Sequence, residues 1–202
     1  MQETNVKITT ADPSALGLFG LAMVTIVASS QKMGWTGPGV SLIVPWAIFL
    51  GGMAQLIAGM IDMKKNNVFG ATAFCAYGFF WMGVAATWLT NLGVFGESMK
   101  AAADMNQLGV AYIGYLIFSM YMFVASLRTN KVLMTAFGLI NVLLIALALS
   151  TFGIAHDLMH TVGAVTELLI AFVSFYGSAG CVLNATYGKV ILPMGKPLNV
   201  FQ

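Results

Sequence analysis

Apolar residues in this chain run together instead of alternating with polar ones, and short polar connectors separate the runs. Six runs, at about 14–30, 40–61, 68–91, 108–127, 132–155 and 161–187, come close to or exceed the roughly 20 residues a helix needs to cross the bilayer. A barrel strand would be about half as long and would alternate. The pattern therefore predicts an all-α integral membrane protein with six transmembrane helices, bounded by an N-terminal segment 1–13 and a C-terminal tail 188–202. The connectors carry turn residues, such as Gly34, Gly37 and Pro38 after the first run and the Asp-Met-Lys-Lys-Asn-Asn stretch from Asp62 to Asn67 after the second. Asp12 and Pro13 form a helix-start pair ahead of the first run.

Composition says what solvent this fold needs. With 59% hydrophobic and 8% charged residues, too little polar surface exists to cover a water-soluble globule, and disorder is excluded by the same excess. The charges give orientation. An even number of spans places Lys7, Lys64, Lys65, Arg128, Lys131, Lys189 and Lys196 on the side of the termini, against Lys32 and Lys100 on the other. By the positive-inside rule both termini are expected in the cytoplasm. The basic residues form no stripe, so nucleic acid is not an expected partner. Nor does the polar start, with Gln2 and Glu3, resemble a cleavable signal. Cys75 and Cys181 lie in apolar runs and read as small hydrophobes.

Small residues recur at helical spacing in two places: Gly51, Gly52, Ala54, Ala58 and Gly59, then Ser174, Gly177, Ser178 and Cys181. Such faces suit close helix packing within one subunit or between subunits, and the sequence leaves both open. No repeat relates the two halves, which argues against an inverted-repeat transporter.

Few polar residues in the spans are candidates for chemistry. Glu167 is the one carboxylate or basic side chain inside an expected span, a placement costing about 2.5 to 3.5 kcal/mol near the centre, so it must face protein or water. It is a candidate proton-coupling group, the alternative being a structural hydrogen bond. Gln55 and Asn141 sit well inside their runs, and Thr25 and Tyr77 add hydroxyls. Singly, each is commonly glue between helices. His156 and His160, four apart around Asp157, share a helix face if helical and open a minor alternative as a membrane metal-binding protein or enzyme. Two histidines in a short outer connector fall short of a metal centre, and the expectation is no cofactor, no metal and no enzyme activity.

Specific strings go further. Leu16-Gly17-Leu18-Phe19-Gly20 after Asp12-Pro13, the segment Gly51 to Met60, the segment Asn67 to Trp81, then His160, Gly163 and Leu192-Pro193-Met194-Gly195 together resemble the acetate uptake transporter family. The first-helix signature of that family is Asn-Pro-Ala-Pro-Leu-Gly-Leu, where this chain reads Asp12-Pro13-Ser14-Ala15-Leu16-Gly17-Leu18. The departure puts a negative charge where an anion would arrive.

The resemblance implies six-helix subunits assembled as a homo-hexamer in the cell membrane, each with a path narrowed by a Phe, a Leu and a Tyr. These fall on Leu21, Ile140 and Tyr77, so only the Tyr is kept. Val173 aligns with a small residue that influences substrate size. The implied function is transport of acetate or a similar small monocarboxylate, and of succinate as a further candidate, by a channel-like or proton-coupled mechanism. A nonspecific small-solute channel is the alternative. Under that reading Leu21, Tyr77 and Ile140 gate the path, Thr25, Gln55, Asn141 and Val173 contact substrate, and Glu167 is the candidate for proton coupling.

Overall fold

The computed structural model describes residues 10–198 and 200. Most of the N-terminal segment 1–13, including Lys7, therefore lies outside the described residues, as do three positions near the end of the tail. Six helices are long and apolar enough to cross a membrane: α1 (Ser14–Lys32), α2 (Val44–Lys64), α3 (Val68–Asn91), α5 (Met105–Ser126), α6 (Lys131–Thr151) and α7 (His156–Tyr187). A short α4 (Glu97–Ala101) lies in the connector before α5.

Local chemistry sets several of the ends. Asn67 and Asn130 accept hydrogen bonds from Gly70 N and Leu133 N at the starts of α3 and α6, taking up backbone donors that a first helical turn leaves free. Asp12 does similar work for α1, its Oδ1 accepting from Ser14 N at 3.0 Å. Ala155 and Gly153, both at positive φ, turn the chain sharply into α7.

Several boundaries differ from the sequence reading, among them the start of α5 at Met105 rather than Leu108 and the end of α6 at Thr151 rather than Ala155. The second span starts at Val44 rather than Val40, because Val40 to Ile43 form a turn ahead of Pro45, and it extends to Lys64. Asp62 is consequently helical and buried rather than part of a connector. The last span starts at His156, so His156 and His160 stand on the first turns of α7 instead of in a loop.

Each spanning helix packs on its neighbours in sequence, and α7 returns to pack along α1, which closes a ring. The weakest seam is between α3 and α5. Residues of both small-residue faces pack within the chain. Ser178 Oγ donates to Ala15 O at 2.7 Å across α7 and α1, and a Cβ on Gly51 would press on the Trp81 ring. Outward faces carry large exposed apolar residues, among them Phe49, Phe79, Ile117, Met120 and Phe172, which suits lipid as solvent.

One helix is irregular. Residues Ala47–Ala54 of α2 form π-helix, and the widened turns bring backbone carbonyls against neighbours: a Cβ on Gly20 would collide with Leu50 O, and one on Gly78 would stand 2.9 Å from Gly52 O. Gln55 Nε2 donates to Gly51 O at 2.7 Å, so a side chain takes up a carbonyl at the point where regular α-helix resumes.

The tail folds back over the bundle. Asn184 Oδ1 accepts from Ile191 N and Leu192 N, its Nδ2 donates to Leu192 O, and Tyr176 Oη donates to Pro193 O. Leu198 N then reaches Leu127 O, tying the tail to the α5–α6 connector.

Candidate functional site

A cavity of about 200 Å³ enters the ring from the side that bears the ends of the chain, enclosed by α1, α2, α3 and α6. Ser14, Asn67 and Thr129 stand at its mouth, and Leu21, Gln55, Tyr77 and Ile140 stand deeper in. Helix rise gives the depth. Leu21, Tyr77 and Ile140 are seven, nine and nine residues into helices that start on that side, or about 10 to 14 Å. Gln55 is nine residues before the end of α2, again about 14 Å. The four residues thus form a layer at one level, near the middle of a hydrocarbon slab about 30 Å thick.

Packing fixes the layer in place. Leu21, Tyr77 and Ile140 are 7%, 5% and 6% exposed, and the Tyr77 ring is clamped by Phe118 and Phe137 at centroid distances of 5.5 and 5.9 Å. Tyr115, whose hydroxyl donates to Ala76 O at 3.0 Å, and Phe80 pack on its other sides. The Tyr77 hydroxyl, by contrast, is buried without a hydrogen-bond partner, as is the Ser119 hydroxyl. The two hydroxyls stand next to each other, so the polar end of Tyr77 faces Ser119 of α5 without a close hydrogen bond.

The cavity wall contains no charged side chain. Its polar residues are Ser14, Gln55, Asn67, Tyr77 and Thr129, set in a lining that is otherwise apolar. Such a set can share a carboxylate's hydration without trapping it, whereas a fixed cation would hold it.

Other residues singled out from the sequence lie elsewhere. Thr25 is buried but donates within its own helix, to Leu21 O at 2.7 Å. Asn141 is beside Ile140 and off the cavity, with a buried Oδ1 that has no partner. Val173 lies in a shallow groove with Thr135, Phe172, Tyr176 and Met194, on the flank covered by the tail rather than in the cavity. Glu167 is 1% exposed, and its Oε2 accepts from Lys32 Nζ at 2.8 Å. His156 Nδ1 is engaged with Ser150, and among the described residues no group of three or more metal-ligating side chains is assembled.

With this geometry in hand, similarity to known proteins becomes informative. The GPR1/FUN34/yaaH family profile matches residues 2–196. The chain belongs to the GPR1/FUN34/yaaH family. Among relatives, the Succinate-acetate/proton symporter SatP of Escherichia coli is 34% identical over 194 residues, covering 95% of this chain and 98% of SatP. Ammonia transport outward protein 2 of Saccharomyces cerevisiae is 29% identical over 194 residues, covering 94% of this chain and 68% of that protein. Acetate permease A of Emericella nidulans is 29% identical over 198 residues, covering 91% and 65% respectively. The solved structure of the bacterial acetate channel SatP superposes with a TM-score of 0.83 at 33% identity, over 93% of this chain and all of that one.

The family resemblance read from the motifs is thus borne out, and so is the six-helix fold. Two cavity features of this GPR1/FUN34/yaaH member escaped the sequence reading. Phe137 packs on Tyr77 and lines the cavity, and Asp62 lies behind Asn67 at the mouth. One further helical turn on the second apolar run, to Lys64, brings Asp62 into the bundle.

Proposed function

We propose that this protein carries acetate, or a small monocarboxylate like it, across the cell membrane through the interior of each six-helix subunit, with succinate a further substrate. The reading is carried by the cavity: a mostly apolar space with a few uncharged polar residues and no fixed charge, which reaches in to the layer of Leu21, Tyr77 and Ile140. At neutral pH a simple carboxylic acid, of pKa about 4, is overwhelmingly anionic and needs such a route through hydrocarbon. An apolar constriction can dewet and bar ions until its side chains move apart.

In this proposal the Tyr77 hydroxyl and the Gln55 amide bond the carboxylate at the layer, while Leu21 and Ile140 set the width. Leu21 has no ring to present to Tyr77, so the closed layer depends on aliphatic packing. The chain ends and the cavity mouth face the cytoplasm, by the distribution of basic residues. Six subunits assemble in the membrane, and no chemical conversion of the substrate is proposed. The relatives named for acetate and succinate support this substrate class.

The experiment is uptake of radiolabelled acetate into liposomes holding the purified protein. Protein-dependent uptake that unlabelled formate and lactate compete for is expected. Uptake equal to that of protein-free vesicles would remove the proposal, and equal passage of neutral solutes would turn it into a nonspecific pore.

A further inference from the structure

Among the described residues two carboxyl groups are buried, those of Asp62 and Glu167. Glu167 has a counter-charge in Lys32. Among the described residues Asp62 has none within bonding distance. Its Oδ1 accepts from Asn67 Nδ2 at 3.1 Å, and its Oδ2 is buried with no hydrogen-bond partner. An ionised carboxyl in that setting has lost the water on one oxygen and received nothing in exchange, and it can recover that cost by taking up a proton.

The position of Asp62 gives that proton a use. The carboxyl lies against Gly70 so closely that a Cβ there would collide with Oδ2, and Gly70 and Asn67 both line the cavity. Asp62 therefore stands directly behind the mouth. Its neighbours enclose it, yet it is in the last turn of α2, two residues from the exposed Lys64 at the terminal end of the helix. The charged or titratable groups facing it are Lys65 beyond the end of α2, Asp12 ahead of α1, and Cys75 on α3. The π segment of α2 contributes none. Lys65 and Asp12 carry opposite charges, and a charge arriving in the cavity would add to theirs.

An anion in the mouth puts a second negative charge just across Asn67 and Gly70, in a wall without a cation. Like charges so placed strongly disfavour double ionisation. Resting on the transport reading above, we propose that Asp62 binds the proton that travels with the carboxylate, being neutral while the anion occupies the mouth and ionised when the cavity is empty. One proton and one anion arrive and depart together, no bond in the substrate changes, and no net charge crosses. Asn67 follows the change. Its Nδ2 donates to Asp62 when Asp62 is ionised and is freed toward the substrate carboxylate when Asp62 is protonated.

The test uses the full-length protein in liposomes, with radiolabelled acetate, a lumenal pH dye and a voltage dye, and reads the protein-dependent ratio of protons to acetate. Wild type is expected to move both without building a voltage. Asp62→Asn is expected to lower the ratio roughly tenfold or more and to make the remaining flux electrogenic. Glu167→Gln should keep the wild-type ratio. An unchanged ratio in Asp62→Asn, or a ratio lost only in Glu167→Gln, overturns the assignment, as does wild-type acetate flux without protons. No wild-type acetate flux at all is a different result, because it removes the transport reading itself. Should Asp62→Asn fail to fold, Asp62→Glu decides: a shifted pH midpoint of coupled flux supports the assignment, and an unshifted one overturns it.

Discussion

Lys32 Nζ and Glu167 Oε2 meet at 2.8 Å and join the far end of α1 to α7. Lys32 is eighteen residues, about 27 Å, from the start of α1, and Glu167 is twenty residues, about 30 Å, from the end of α7. The pair thus stands at the boundary of the hydrocarbon opposite the cavity mouth. There Lys32 keeps some contact with water, its side chain being 18% exposed, while Glu167 keeps almost none.

Removing one partner of such a pair strands the other. Lys32→Met should lower stability by about 3 kcal/mol, because Glu167 is left buried without its counter-charge. Lys32→Met with Glu167→Gln should recover most of that loss. Thermal unfolding of the single and double variants in detergent measures the coupling, and additive losses would show the pair to be incidental.

Tyr77→Phe separates packing from chemistry. The hydroxyl meets only Ser119 in the protein and makes no close hydrogen bond, so stability should change by no more than about 1 kcal/mol. If that hydroxyl bonds the carboxylate, acetate flux should fall roughly tenfold or more, since a hydrogen bond to a charged group contributes about 1.5 to 3 kcal/mol. Flux at the wild-type level would remove Tyr77 as a donor.

Width at the layer should govern substrate size. Ile140→Ala opens it and should raise the succinate-to-acetate rate ratio several-fold, at a folding cost of about 2 to 5 kcal/mol. Leu21→Phe should shift the ratio the other way. Competition assays on the folded fraction of each variant supply the measurement.

Glycines beside the π segment are expected to differ sharply from glycines in open space. Gly20→Ala drives a methyl into Leu50 O, a backbone atom that cannot swing aside, and should sharply reduce the yield of folded protein. Gly83→Ala meets nothing within 4 Å and should stabilise α3 by about 0.5 to 1 kcal/mol. Equal yields and melting temperatures for the two would contradict this packing.

The tail should be released by a single change. Asn184→Ala deletes three hydrogen bonds to Ile191 and Leu192 and should loosen the backbone that follows the exposed Lys189, with a several-fold rise in the rate of trypsin cleavage there.

Legibility in the sequence followed the strength of each physical constraint. Span number was readable because lipid demands long apolar runs, and Val68 to Asn91 was bounded correctly at both ends, with Asn67 supplying its cap. The start of α7 was not, since His156 and Asp157 look like connector while a first helical turn tolerates polar side chains. Asp62 was hidden for a related reason: a charge next to two lysines marks a loop, and only one further helical turn draws it inside. Which residues meet at the cavity depends on how each helix is rotated. Helices apolar all round, as α2 and α3 nearly are, give no face to read. Hence Thr25, Asn141 and Val173 lie away from the cavity, whereas Leu21, Tyr77 and Ile140, placed by family resemblance, line it together.

The cavity is a cup rather than a bore, being open beside Asn67 and stopped at Leu21, Tyr77 and Ile140. Sidedness follows for pharmacology. A membrane-impermeant blocker shaped to fill the space between Ser14 and Ile140 can reach this state only from the face that carries the chain ends. The same compound applied to the opposite face should be inert until the layer opens. In vesicles of mixed orientation it should therefore silence only the fraction that presents that face, and so count how many molecules point each way.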